Sequence, residues 1–170
     1  MVLLFSDRKS KIEKEIIEIL SSYGGNYISD KKVLETDGSF TIINCYKNTE
    51  LSVNKGIAVF CDSSERFKEQ RLPDNTVGIC EDGNTLALSV FKKNKIPVIV
   101  CGMNSKNTIT LSSLNSDTLF AALQRTVTDN NGKLIEPEEY KIQLSKSYEP
   151  FSVMASISVL LLNSVKPDRF

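Results

Sequence analysis

Apolar residues fall into two textures along the chain. Over roughly the first hundred positions they come in short β-branched runs: VLLFS (2–6), FTIINC (40–45), GIAVFC (56–61), TVGIC (76–80) and PVIVC (97–101), the last four each ending in cysteine. Runs that are apolar on both sides of the pleat predict strands of a parallel sheet covered on both faces. Between them, Ile12, Ile16, Ile19 and Leu20 share one helical face with Lys and Glu opposite, and Tyr23-Gly24-Gly25 stops that helix. Ser6-Asp7 is placed to cap it, and KSKIEKE reads as its solvated face. NYIS and SFTIINCYKN predict strands around the Asp37-Gly38 turn, and a second helix is expected from about Asn84 to Lys93 with Leu86, Ala87, Val90 and Phe91 inward.

From Asn107 the pattern changes to alternation. TITLSS, TLFAALQRTVT and EYKIQLS predict half-exposed antiparallel strands, with Asn130-Asn131-Gly132 as a hairpin turn. Pro150 suits the first turn of a last helix reaching about Asn163, and VKPDRF is expected to be a loose tail. The expectation is one α/β domain over residues 1–170. Its fold class is Rossmann-like: a largely parallel sheet with helices on both faces (1–103), a short antiparallel β extension (104–147) and a C-terminal helix (148–165).

Composition narrows the chemistry. The 21 Lys and Arg balance 21 Asp and Glu, which gives no field to draw in nucleic acid or an anionic membrane. VMASISVLLL is about half the ~20 apolar residues that a bilayer requires, so it is expected to be a core helix. MVLLFSDRKSK carries its charges after the apolar run, the reverse of a secretory signal, and it reads as a first strand. The chain is therefore expected to be cytoplasmic with reduced cysteines. There is no histidine, which removes Ser-His-Asp and Cys-His catalysis and histidine-containing zinc sites.

Cys45, Cys61, Cys80 and Cys101 lie 16, 19 and 21 residues apart, without the CxxC pairs of a structural zinc site. Strand ends also spread sideways by about 4.8 Å per strand, which works against convergence on one ion. They are expected to be core thiols; a thiol-dependent role would require one that is exposed and acidic. The residues after the runs carry more chemistry. Asp7 follows the first strand; Asp62, Ser63 and Ser64 follow GIAVFC; Glu81, Asp82, Gly83 and Asn84 follow TVGIC; Gly102 follows PVIVC. In a parallel sheet these loops share the carboxyl edge, where α/β proteins bind ligands. The same residue types are those of helix caps and tight turns. Neither G-x-x-x-x-G-K-[ST] nor G-x-G-x-x-G occurs, so no nucleotide cofactor is implied.

The order of elements from Gly78 to Leu162 resembles the later half of the ATP-binding central domain of the Mur ligases, the peptidoglycan-precursor amide ligases. EDGNTLALSVFKKNKIPVIVCG corresponds to the family's acidic, asparagine-containing loop, helix and strand ending in glycine. TITLSS through YKIQLS corresponds to its antiparallel strands, and YEPFSVMASISVLLL to its alanine-rich helix. The resemblance implies the family's fold and a bacterial setting. The family's glycine-lysine-threonine phosphate loop and metal-binding histidine have no counterpart, and its nucleotide-holding asparagines fall at Glu149 and Ser152. No catalytic residue carries over.

Ahead of that thiol-dependent role, which ranks third, stand two functions. The first is a non-catalytic domain working through an unknown protein partner or as a homo-oligomer, without cofactor or metal. The second is a small-molecule binding protein or enzyme that takes a nucleotide sugar or a cation-bound ligand through the acidic loops, with Asp62, Glu81 and Asp82 converging in one cleft.

Overall fold

The computed structural model describes residues 1–8, 10–114 and 117–170. In chain order the elements are β1 (Val2–Phe5), α1 (Lys11–Ser22), β2 (Asn26–Ile28), β3 (Val33–Leu34), β4 (Thr41–Cys45), β5 (Gly56–Phe60), a 3-10 turn (Glu65–Phe67), β6 (Thr76–Glu81), α2 (Thr85–Asn94) and β7 (Val98–Cys101). They continue with β8 (Ile109–Leu114), β9 (Thr118–Leu123), β10 (Val127–Thr128), β11 (Leu134–Ile135), β12 (Glu138–Gln143) and α3 (Pro150–Leu162). Apart from the small β10–β11 hairpin, the strands form one ten-stranded sheet in the order β12-β9-β8-β7-β6-β5-β1-β4-β2-β3. Strands β2, β4, β1, β5, β6 and β7 run parallel, and β8 joins β7 in parallel through the Cys101↔Ile109 pair. Antiparallel β9 and β12 extend one side, and β3 closes the other.

The apolar runs sit at the centre of this sheet, with every residue of β1 and β5 buried. Successive side chains serve two cores. Val2, Leu4, Ile57, Val59 and Ile79 pack with α1 and α3, whereas Leu3, Phe5, Ala58 and Phe60 pack with α2 and the 3-10 turn. The second core is aromatic: Phe5 and Phe60 stack at 4.8 Å, while Phe67 and Phe91 meet them edge-on. Helix α3 is buried from Phe151 to Leu162, apolar nearly all round as expected of a helix inside a protein rather than on it. Its hydroxyls turn back on the helix, Ser156 Oγ donating to Ser152 O and Ser158 Oγ to Met154 O, both at 2.8 Å.

The Asp37-Gly38 turn is present for a steric reason: a Cβ on Gly38 would lie 1.4 Å from Gly24 O, so only glycine lets this turn rest on the end of α1. Four expectations are corrected. Helix α1 is capped by Ser10, whose Oγ accepts from Glu13 N at 3.4 Å, and not by Ser6-Asp7. KSKIEKE is not wholly a solvated face, because Glu13 and Glu15 are buried. TLFAALQRTVT does not continue as one strand; it breaks after Leu123, and the chain re-forms as the β10–β11 hairpin around Asn130-Asn131-Gly132.

The end of the chain is not loose. Phe170 is buried, its N–H donates to Gln143 O at 2.7 Å, and its carbonyl accepts from Ser145 N at 2.5 Å. Tyr23 Oη accepts from the amides of Asp168 and Arg169 at 2.9 and 3.0 Å. An apolar last residue anchors a segment that its charges alone would leave in water.

Candidate functional site

The parallel strands bring the predicted site residues to their carboxyl edge, where two groups form. The first surrounds the β1–α1 connection. Asp62, just past β5, accepts from the Asp7 amide at 2.6 Å through Oδ2 and from the Ser64 amide at 3.1 Å through Oδ1. Asn84 donates from Nδ2 to Asp62 O at 3.1 Å while its Oδ1 caps α2 by accepting from Ala87 N at 3.0 Å. Arg66 ties the group together: it ion-pairs with Asp7 and donates to Ser64 Oγ and Tyr46 O, both at 2.9 Å.

The second group is built around the loop after β6, the strand next to β5. Asp82 accepts from Asn107 Nδ2 at 3.1 Å and stands against Gly102, where an added Cβ would come within 2.7 Å of the Asp82 Cβ and 2.4 Å of Asn107 Nδ2. Gly102 is thus a close-approach glycine. Ser63, Glu81 and Gly83 are exposed, and Gly83 takes the positive φ of a turn at 88°. Asp62 faces the β1 loop and Asp82 faces β7, so their hydrogen bonds belong to different loops. Among the described residues no three His, Cys, Asp or Glu groups come together to hold a metal ion.

Behind the first group is a carboxylate that the sequence reading missed. Glu13 Oε1 accepts from Asn44 Nδ2 at 2.5 Å and from Tyr46 Oη at 2.9 Å, and Oε2 accepts from Ser6 Oγ. Burial, with Glu13 adding to it, pushes the Tyr46 hydroxyl up to about 12. A signal existed: Glu13 precedes Ile16 by three positions and Leu20 by seven, which places it on the inward face. Charge outweighed periodicity in that reading. Arg66 and Asn107 carried no comparable signal, since each reaches its partner across a loop.

The cysteines divide between the two cores, Cys45 and Cys80 on the α2 side and Cys61 and Cys101 on the α1–α3 side. All four are unpaired and buried. Burial pushes Cys45 up to about 11, Cys80 and Cys101 up to about 12, and Cys61 well above its ordinary value. A nucleophilic or metal-binding thiol needs the opposite shift together with access to solvent.

No protein-family model matches the sequence, and no curated protein matches it. Among solved structures the chain is similar to the crystal structure of UDP-N-acetylmuramate:L-alanyl-gamma-D-glutamyl-meso-diaminopimelate ligase (MPL) from Neisseria meningitides, with a TM-score of 0.61 at 10% identity. The likeness covers 99% of this chain, whereas the sequence resemblance extended only from Gly78 to Leu162; this chain in turn spans 62% of the ligase's length. The fold is a Mur-ligase-like α/β fold. Among the described residues no helix is long and apolar enough to cross a membrane.

Proposed function

We propose that this chain is a non-catalytic Mur-ligase-like domain that acts by contact with a protein partner or with a second copy of itself. The observation that carries the reading is the state of the β1–α1 connection. A strand, a loop and a helix N-terminus form the unit in which nucleotide-binding folds present backbone N–H groups to phosphate. Here the Asp7 N–H is taken by the Asp62 carboxylate, and Arg66 is taken by Asp7. Glu13 adds a third carboxylate just behind. The chain supplies its own anion there, and a phosphate would meet three carboxylates.

The contact surface in this reading is the outer edge of the sheet. Strand β3 leaves one side of its backbone unpaired, and Ile28 and Val33, opposite each other in register, are 41% and 71% exposed. The other edge is partly covered, because the last residues lie against β12 through the Gln143↔Arg169 bridge. A cytoplasmic, reducing setting belongs to the same reading and is supported by the four unpaired buried thiols.

Light scattering over a rising concentration series tests it. The expected result is a dimer mass that returns to monomer in Val33→Lys, or a monomer that retains a partner from its own lysate and releases it in that variant. A protein monomeric throughout that retains nothing contradicts the reading, as does a saturable rise in Tm with magnesium-ATP.

A further inference from the structure

The sheet carries a recess at the edge opposite the acidic loops. It measures about 690 Å³, within the range of ~300–1,000 Å³ typical of small-molecule sites. Topology accounts for its walls. Lys55, Asn75 and Pro97 immediately precede parallel strands β5, β6 and β7 and lie at the amino edge, while Thr108, which precedes β8, sits beside Val100 of β7. Strand β9 runs antiparallel and brings Arg125 past Thr108 to the side of the recess, and the β10–β11 hairpin and the end of α3 close the far side.

Val77, Pro97, Ile99, Val127 and Leu162 provide an apolar lining. Two cations sit at the rim, each held by a single backbone carbonyl: Lys55 Nζ donates to Asn130 O at 2.6 Å, and Arg125 Nη2 to Lys106 O at 2.8 Å. Those bonds fix the two heads and leave most of their N–H groups free. Two carboxylates lie in the same lining, and the oxygens of one of them are already engaged. Asp129 is occupied by Ser164 Oγ and by the amides of Asn131 and Lys133, which with the hydroxyl foremost lower its pKa. The Leu162 carbonyl is taken by Asn130 N–H at 2.8 Å. With Asp129 ionised and Asp74 exposed at the rim, two negative charges stand against two positive ones, so Lys55 and Arg125 act through their unfilled N–H donors and not through a net positive field.

We infer that this amino-edge recess is a binding site for a small organic anion with an apolar body, its carboxylate held by Arg125 and Lys55 and its body against Val77, Ile99 and Leu162. A guanidinium presents paired N–H groups in the geometry of a carboxylate, and the apolar lining supplies the area that a carboxylate alone lacks.

The test uses the full chain, labelled with 15N and titrated with 2-naphthoate and, separately, with its neutral analogue 2-naphthamide. Saturable shifts are expected at the amides of Val77, Ile99 and Val127. Affinity is expected to fall at least about tenfold for 2-naphthamide and for Arg125→Gln, with an unchanged spectrum in the free variant. Lys55→Gln should give a smaller loss in the same direction. Absence of saturation at millimolar 2-naphthoate, shifts confined to other parts of the protein, or equal binding of acid and amide would each overturn the inference.

Discussion

Glu13 shows what one residue does at the carboxyl edge. A carboxylate at 4% exposure, without a cation among its hydrogen-bond partners in the described residues, is tolerated because Ser6, Asn44 and Tyr46 supply three donors from β1's exit and β4's end. Removing it strands those donors inside the protein. Glu13→Ala is therefore expected to lower unfolding stability by about 2–4 kcal/mol, measured by urea denaturation. Glu13→Gln should cost less, because its amide oxygen still accepts from Asn44 and Tyr46 and its NH₂ can donate to the Ser6 hydroxyl. If the two variants lose equal stability, the carboxylate's charge matters and its hydrogen bonds do not. The residue was misplaced from sequence because a glutamate flanked by lysines reads as solvated. What brings it inside is a set of partners 7, 31 and 33 positions away, which no local pattern contains.

At the scale of elements, the strands at the centre of the sheet were the most legible. β1, β5, β6 and β7 were marked by unbroken apolar runs, and α3 by an apolar stretch with proline at its start. Legibility failed where tertiary contacts decide: the break after Leu123, the two-residue strand β3, and the C-terminal segment. That segment reads as a tail from VKPDRF, yet Phe170 meets Tyr23 edge-on at 6.0 Å and completes a parallel bridge beside β12. Phe170→Ala is expected to destabilise the protein by about 3 kcal/mol and to increase tryptic cleavage after Lys146, next to the Ser145 amide that bonds to Phe170. A loose tail would leave both the melting temperature and the cleavage rate unchanged, so the two pictures separate cleanly.

For the molecule as a whole, the sheet has two edges of different character. The carboxyl edge was legible because strand ends and polar loops can be read in sequence; its residues were identified, but not that they satisfy one another. The amino edge was invisible, since Lys55 and Arg125 are 70 positions apart and become neighbours of one recess only when β9 folds back antiparallel. The cysteines report on the integrity of both cores together. In the folded protein burial pushes Cys45 up to about 11, Cys80 and Cys101 up to about 12, and Cys61 well above its ordinary value. In the unfolded chain thiols ionise near about 8.5. Between these limits the unfolded state has released protons that the folded state retains, so stability is fully present below about pH 8.5 and is lost as pH rises toward 11–12. The slope is up to about 1.4 kcal/mol per pH unit for each thiol, and Tyr46 and Tyr140, both pushed up to about 12, add to it above about pH 10. Because the thiols are shared between two cores on opposite faces, reagent access to all four requires the sheet to be uncovered on both sides. A disulfide-exchange reagent at pH 8 is thus expected to modify the four at one common slow rate, which rises with urea in step with unfolding. A single thiol that reacts in the native protein at the rate of a free cysteine would show that one core opens independently of the other.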